Sequence, residues 1–157
     1  MNIEELMTRD VEACTPQDML SRAAQIMWER DCGCVPVVDE SRHLMGILTD
    51  RDICMAAYTK GKPLAQIPVN QMMTRDVKTA SVGDSLEAVE ALMQVHQIRR
   101  LPIVGPDGTL AGVISLNDLA RGAERQHNPK MKELHIRRVE ATLAAVCRPR
   151  PASNITA

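Results

Sequence analysis

Two short segments of the chain each place a hydroxyl and a carboxylate three residues apart where a predicted strand turns into a predicted helix. They run from Gly46 to Ile53 (GILTDRDI) and from Gly112 to Leu119 (GVISLNDL). In each, apolar residues after the glycine end a predicted strand, and Thr or Ser, followed three residues later by Asp, begins a predicted helix. Such a helix start offers unpaired N–H groups and partial positive charge to an anion such as phosphate. The carboxylate can accept two hydroxyl donors, as a ribose provides.

The same spacing also fits a capping box, in which the two side chains satisfy only the helix backbone. Thr49–Asp52 and Ser115–Asp118 therefore have two interpretations, and spacing alone favours the cap. Two similar pairs, Thr15–Asp18 and Ser81–Asp84, are predicted to be helix caps, with Thr15 as an N-cap.

The chain contains an internal duplication. Identical residues recur at the offset that separates Gly46 from Gly112, without a gap from residue 7 to residue 119. Chance matches would not keep one register over so long a span. The duplication therefore predicts two copies of one structural unit. Matched pairs include Met7 with Met73, Asp18 with Asp84, Met27 with Met93, Pro36 with Pro102 and Asp52 with Asp118.

Each copy is predicted to contain, in order, a strand, a helix, two strands and a helix. In the first copy these are 11–14, a helix after Thr15, 34–38, 44–48 and 50–58, with Gly61 as the cap of the last helix. The first helix is predicted to bury Leu20, Ala23, Ala24, Met27 and Trp28. Residues 60–68, which include two prolines, are predicted to be a linker.

The second copy repeats this order with an extended segment at 77–80 and strands at 101–104 and 110–114, joined by a turn at 105–108. Its first helix is predicted to have an inner face of Leu86, Val89, Leu92, Met93 and His96. Asn128 and Pro129 predict the start of a C-terminal helix that runs to about Cys147. The predicted apolar stripe of that helix is Met131, Leu134, His135, Val139, Leu143 and Val146, and residues 148–157 are predicted to be mobile.

Composition argues against several classes of function. A net charge of −1 and an aromatic content of 1% argue against nucleic-acid binding, and the basic residues of the C-terminal segment alternate with glutamates. No apolar run approaches the length of a membrane span, so we predict no membrane partner and a cytoplasmic location. The five cysteines lack a disulfide or metal-site spacing. Cys32 and Cys34 are best interpreted as buried apolar thiols, with a metal or redox pair as the alternative.

Several motifs together resemble a tandem pair of CBS domains, also called a Bateman module. They are the GILTDRD stretch, the strands VPVV (35–38) and LPIV (101–104), and the openings MTRDV (7–11 and 73–77). The resemblance covers about residues 5–122. It implies an α/β (α+β) fold of two β-α-β-β-α repeats packed about a pseudo-two-fold axis, with a C-terminal helix added. The corresponding domains are 1–62, 63–122 and a C-terminal helix and tail at 123–157.

The resemblance also implies two clefts between the repeats that bind adenosine-containing ligands: AMP, ADP, ATP, S-adenosylmethionine or, less often, a dinucleotide. The ribose-binding aspartate of the family matches Asp52 and Asp118, and the supporting hydroxyl matches Thr49 and Ser115. The adenine slot matches backbone and apolar side chains near one set of residues in each copy: Cys14, Thr15, Val35, Pro36 and Val37 in the first, and Ala80, Ser81, Leu101, Pro102 and Ile103 in the second.

The two copies differ in where they carry arginine. Arg99 and Arg100 stand where the first copy has Gly33 and Cys34, and Arg51 matches Asn117. A guanidinium group offers charged, bidentate donors to phosphate. We therefore expect unequal affinities, with Arg99 or Arg100 holding phosphate in one cleft and Arg51 serving the other.

The sequence favours a standalone sensor of adenine nucleotides, without catalytic residues, catalytic cofactor or metal, that signals by rearranging its repeats or a homodimer. The C-terminal helix is the candidate for output to an unidentified protein target or for a dimer contact. One alternative is a ligand-free dimerisation or interaction module with degenerate clefts. A second is a redox switch based on Cys32 and Cys34. The identity of the ligand and the number of occupied clefts stay open at this point.

Overall fold

A computed structural model describes residues 2–149 of the chain and divides into two compact units. The N-terminal unit consists of Arg9–Thr79 and Val104–Gly112, and the C-terminal unit consists of Met1–Thr8, Ala80–Ile103 and Val113–Ala157. The domain boundaries expected from the sequence stay a prediction. The predicted mobile tail lies outside the described residues from position 150 onward.

The described residues form six helices and five strands, together with two short 3₁₀ helices at Leu64–Gln66 and Val69–Gln71. The helices are α1 (Ile3–Leu6), α2 (Leu20–Glu29), α3 (Asp50–Lys60), α4 (Leu86–His96), α5 (Leu116–Arg125) and α6 (Pro129–Val146). The strands are β1 (Cys34–Val38), β2 (Leu44–Thr49), β3 (Ala80–Ser81), β4 (Arg100–Val104) and β5 (Leu110–Ser115). The predicted mixed α/β fold with an added C-terminal helix is thereby confirmed.

The N-terminal unit is built on an antiparallel β1–β2 pair in which Cys34 lies opposite Thr49. The strand predicted at 11–14 is reduced to a single parallel bridge between Cys14 and Val37. Gly61 ends α3 with a φ of 58°, as the sequence predicted. The hydrophobic core of this unit contains Leu20, Ala23, Ile26, Val35, Val37, Leu48, Ile53, Ala56, Ile67 and Val69. Ile67 of the predicted linker is therefore part of the core.

The C-terminal unit contains most of a sheet of order β3-β4-β5, and its helices α4, α5 and α6 pack together. Its largest fully buried side chains are Ile3, Met93, Leu101, Ile103, Ile114 and Leu119. Helix α6 begins at Pro129, where the side chain of Asn128 accepts hydrogen bonds from the N–H groups of Lys130 and Met131. The predicted start of this helix is therefore confirmed. Among residues 2–149, no helix combines the length and the apolar character that crossing a bilayer requires.

The predicted helix starts at Thr15 and Ser81 are wrong. Helix α2 begins only at Leu20, after an N-cap that makes no side-chain hydrogen bond, and α4 begins at Leu86 with Ser85 as its N-cap. The two Thr/Ser–Asp pairs instead close tight turns ahead of the helices. The N–H of Thr15 donates to Asp18 (2.7 Å) and the N–H of Ser81 donates to Asp84 (2.8 Å).

Some residues predicted to face the core lie on the surface. Trp28 is 88% exposed, because α2 buries Leu20, Ala23, Ile26 and Met27 and the Trp28 side chain lies well around the helix from that face. His96 is exposed at the end of α4. The extended segment predicted at 77–80 forms a strand only at Ala80–Ser81.

Candidate ligand half-sites

The first Thr–Asp pair lies where β2 turns into α3. Thr49 is the N-cap of α3, and its N–H (2.8 Å) and hydroxyl (2.7 Å) both donate to Oδ2 of Asp52. The N–H of Asp52 donates in return to the hydroxyl of Thr49 (3.3 Å). This closed capping box fixes the orientation of the carboxylate. Oδ1 of Asp52 accepts no hydrogen bond from residues 2–149, so it is available to a ligand.

The other first-copy residues assigned from the sequence lie on chain segments next to this pair. Cys14, which precedes Thr15, donates from its N–H to Pro36 O (3.0 Å) and accepts from Val38 N–H (2.8 Å). The side chains of Val35 and Val37 are fully buried in the core, so a ligand beside β1 would meet backbone rather than these side chains. Arg51 is exposed on the first turn of α3.

A separate apolar cavity of about 270 Å³ lies in the N-terminal unit. Its walls come from α2 and α3: Ala24, Met27, Trp28, Asp50 and Ile53. None of these residues was assigned to a site from the sequence. The single tryptophan of the chain, Trp28, could have indicated this cavity, but the helical pattern predicted that it is buried in the core.

The second copy repeats the capping box where β5 turns into α5. The N–H (2.8 Å) and hydroxyl (2.5 Å) of Ser115 donate to Oδ2 of Asp118, and Asp118 N–H donates back to the hydroxyl (3.3 Å). The Asp118 side chain is only 8% exposed. Its Oδ1 accepts a hydrogen bond from Nη2 of Arg121 (2.5 Å). Both carboxylate oxygens of Asp118 therefore accept hydrogen bonds, whereas only Oδ2 of Asp52 does so from residues 2–149.

Ser115 and the two arginines assigned to phosphate share one cavity of about 320 Å³. The N–H of Leu116 donates to Arg99 O (2.9 Å), which holds the arginine segment against the start of α5. The cavity is lined by Arg99, Arg100, Ser115, Leu116, Asn117 and Leu143. Leu143 comes from α6 and was missed as a site residue, because the sequence gives no indication that the C-terminal helix reaches this point.

The other second-copy residues assigned to the ligand are buried or do not line this cavity. Leu101 and Ile103 are fully buried, and Pro102 is buried between them in β4. Ser81 is exposed, at the turn that it forms with Asp84. The structure therefore brings Arg99, Arg100 and Ser115 together, whereas the strand residues contribute mainly to the core.

The cysteines and acidic residues offer little redox or metal chemistry within 2–149. Among these residues, no group of His, Cys, Asp or Glu side chains could hold a metal ion, and none of the five cysteines forms a disulfide. Burial raises the pKa of the Cys14 thiol to about 11, which disfavours the reactive thiolate. The Cys32 thiol donates to Cys34 O (3.4 Å), and the proposed redox use of this pair stays a prediction.

Comparison with known proteins identifies one family. The CBS domain family model matches residues 3–58 and 69–124. The chain is 37% identical over 119 residues to the CBS domain-containing protein YhcV of Bacillus subtilis, covering 76% of this chain and 83% of that protein.

Two solved structures share the fold, at identities too low to show more than the fold. The crystal structure of CBSX2 in complex with AMP has a TM-score of 0.70 at 23% identity, covering 79% of this chain and 96% of CBSX2. The CBS domain pair of protein MJ0100, in complex with 5′-methylthioadenosine and S-adenosylmethionine, has a TM-score of 0.71 at 24% identity. That match covers 80% of this chain and 98% of the MJ0100 pair.

Proposed function

Because this chain belongs to the CBS-domain family and contains two CBS repeats, we propose that it is a regulatory protein that binds adenosine-containing ligands. The observation that carries the proposal is the cavity shared by Arg99, Arg100 and Ser115, one helical turn from the fixed carboxylate of Asp118. A helix cap alone needs no cavity lined by two arginines.

The proposed ligand chemistry assigns one task to each group. A ribose hydroxyl donates to the carboxylate of Asp52 or Asp118, whose orientation the capping box fixes. Arg99 and Arg100 hold phosphate in the second half-site, and Arg51 serves the first. The ligands of CBSX2 and of the MJ0100 pair all contain adenosine, which supports this class of ligand for the present chain. The arginines favour AMP, ADP or ATP over S-adenosylmethionine, which carries a sulfonium instead of phosphate.

In this proposal, the protein acts by binding rather than by catalysis. A ligand shifts the arrangement of the repeats, or of a homodimer, only if it binds one arrangement better than another. Helix α6 is the proposed contact for a second copy or a protein target, because Met131, Leu134 and Leu143 remain 41–47% exposed on it.

A ligand-free interaction module is the second candidate function. One observation favours it: both Thr/Ser–Asp pairs are complete as helix caps without any ligand, and Asp118 is already paired with Arg121. In that case the carboxylates would stabilise helices only.

Thermal unfolding in the presence of adenosine, AMP, ADP, ATP, NAD and S-adenosylmethionine distinguishes the two candidates. A ligand at ten times its Kd should add about 1.4 kcal/mol to the free energy of unfolding. For a domain of this size, that stabilisation raises Tm by about 3–6 °C. GMP is the matched control and should give a smaller shift than AMP. If no compound raises Tm, the ligand-free module is favoured, and equal shifts with AMP and GMP would contradict adenosine recognition.

A further inference from the structure

The two copies of the ribose-binding pair differ in one contact that the sequence did not single out. Arg121 pairs with Oδ1 of Asp118 at 2.5 Å, whereas the matching residue of the first copy is Met55. Resting on the function proposed above, we propose that Arg121 makes the second half-site selective for phosphorylated adenosine ligands. The first half-site then also accepts uncharged adenosine compounds.

A ribose needs a free carboxylate oxygen as its acceptor. In both copies Oδ2 already accepts two hydrogen bonds from the capping residue, which leaves Oδ1 as the oxygen for a sugar hydroxyl. Oδ1 of Asp52 accepts nothing from the described part of the chain, whereas Oδ1 of Asp118 accepts from a guanidinium. Charge-assisted hydrogen bonds are about twice as strong as neutral ones. An uncharged nucleoside therefore competes poorly for Asp118.

A phosphate changes this competition because it is a second anion for the guanidinium. The Arg121 side chain is 63% exposed, so it has room to leave the carboxylate. A phosphate gives the displaced guanidinium a new anionic partner, and one charged pair then replaces another. Arg99 and Arg100, which line the neighbouring cavity, strengthen the attraction for a phosphorylated ligand.

The first copy lacks the matching charges. The positions that correspond to Arg99, Arg100 and Arg121 hold Gly33, Cys34 and Met55. An uncharged nucleoside there meets a carboxylate oxygen that no arginine of residues 2–149 occupies. The single guanidinium assigned to that half-site, Arg51, is exposed.

A purely structural role for Arg121 makes a different prediction. Residues 118 and 121 are three apart on α5, where such a pair stabilises a helix modestly. Loss of a structural pair would change stability and would shift all ligand affinities together. A selectivity role instead changes the ratio of two affinities, which is the quantity to measure.

Isothermal titration calorimetry with AMP and adenosine measures this ratio. An Asp52→Ala background removes the ribose acceptor of the first half-site, so that binding reports on the second. There we expect AMP to bind at least about tenfold more tightly than adenosine. Adding Arg121→Met, which installs the residue of the first copy, should reduce this preference at least about tenfold, mainly by tightening adenosine. Arg125→Met, at an exposed arginine on the same helix, is the matched control and should leave the ratio unchanged.

The possible outcomes separate this inference from the proposed function. If AMP and adenosine bind but Arg121→Met leaves their ratio unchanged, selectivity by Arg121 is refuted and nucleotide binding stands. If neither compound binds the unmodified protein or the variants, the proposed function fails as well. Should Arg121→Met fail to fold, Arg121→Gln also removes the charge but keeps a polar side chain. Its preference for AMP should fall as expected for Arg121→Met, and a ratio equal to that of the unmodified protein would refute selectivity by Arg121.

Discussion

Replacing Arg138 with Met is expected to lower the free energy of unfolding by about 3 kcal/mol. Arg138 projects from α6 and donates from Nε (2.8 Å) and Nη2 (2.6 Å) to one oxygen of Glu90 on α4, and it also pairs with Glu87. The Glu90 side chain is only 6% exposed. Removing the guanidinium leaves a buried carboxylate without its partner, which costs more than an intact pair contributes. Urea unfolding followed by circular dichroism measures the loss.

The pH dependence of this loss follows from Glu90. Burial raises the pKa of Glu90 above its ordinary value of 4.5, and Arg138 opposes that rise, so the variant should raise the pKa further. Above pH 4.5 the folded variant then binds more protons than the unfolded chain, so its stability falls as pH increases. The deficit of Arg138→Met relative to the unmodified protein should therefore shrink as pH is lowered from 7 towards 4.5.

The neighbouring arginine provides a control for this prediction. Arg137 pairs with Glu133 on α6 at 2.6 Å, but both side chains are largely exposed, so Arg137→Met should change stability by less than about 1 kcal/mol. A double variant, Glu90→Leu with Arg138→Met, should recover much of the loss because no charge stays buried. Equal losses in Arg137→Met and Arg138→Met would show that the Glu90–Arg138 pair is not the contact that holds α6.

This contact explains why the sequence predicted the bounds of α6 better than its inner face. Asn128 and Pro129 are local signals for a helix start, and α6 begins there. An apolar stripe indicates the packed face of a helix only if the helix packs through its apolar side chains. Here Thr142 and His135 are buried, and Gln94 donates to the Thr142 hydroxyl (2.9 Å). The buried face therefore includes polar pairs with residues 48 positions away, which no local pattern reveals. Of the predicted apolar stripe, His135 and Val146 are buried, whereas Met131, Leu134 and Leu143 stay exposed.

The capping motif also shows that a local pattern does not determine the structure that follows it. Four segments share the order hydroxyl, two residues, aspartate, and all four carboxylates accept a hydrogen bond from the first residue's N–H. Only the segments at Thr49 and Ser115 continue directly into a helix. The motif fixes one turn, and the conformation of the residues after that turn depends on tertiary packing. The duplicated register, by contrast, predicted β1, β2, β4 and β5 within one or two residues, because it depends on many positions.

Replacing Asp118 with Ala is expected to weaken binding of AMP at the second half-site by about 1.5–3 kcal/mol, roughly 10- to 150-fold in Kd. The substitution removes the ribose acceptor, whose Oδ2 is fixed by Ser115 and whose Oδ1 pairs with Arg121. The same change removes the capping box of α5, which should lower the free energy of unfolding by about 1 kcal/mol. Calorimetric titration of AMP, with the variant confirmed as folded by circular dichroism, measures the first effect, and urea unfolding measures the second.

Asp107→Ala separates the two effects, because Asp107 makes the same kind of contacts without belonging to a half-site. One oxygen of Asp107 accepts from the N–H (3.1 Å) and hydroxyl (2.7 Å) of Thr109 in the exposed turn between β4 and β5. Its removal should cost some stability and leave the Kd for AMP unchanged. An Asp118→Ala protein that binds AMP as well as Asp107→Ala would mean that the buried carboxylate serves α5 alone. In that case the ligand-free interaction module becomes the better description of the second repeat.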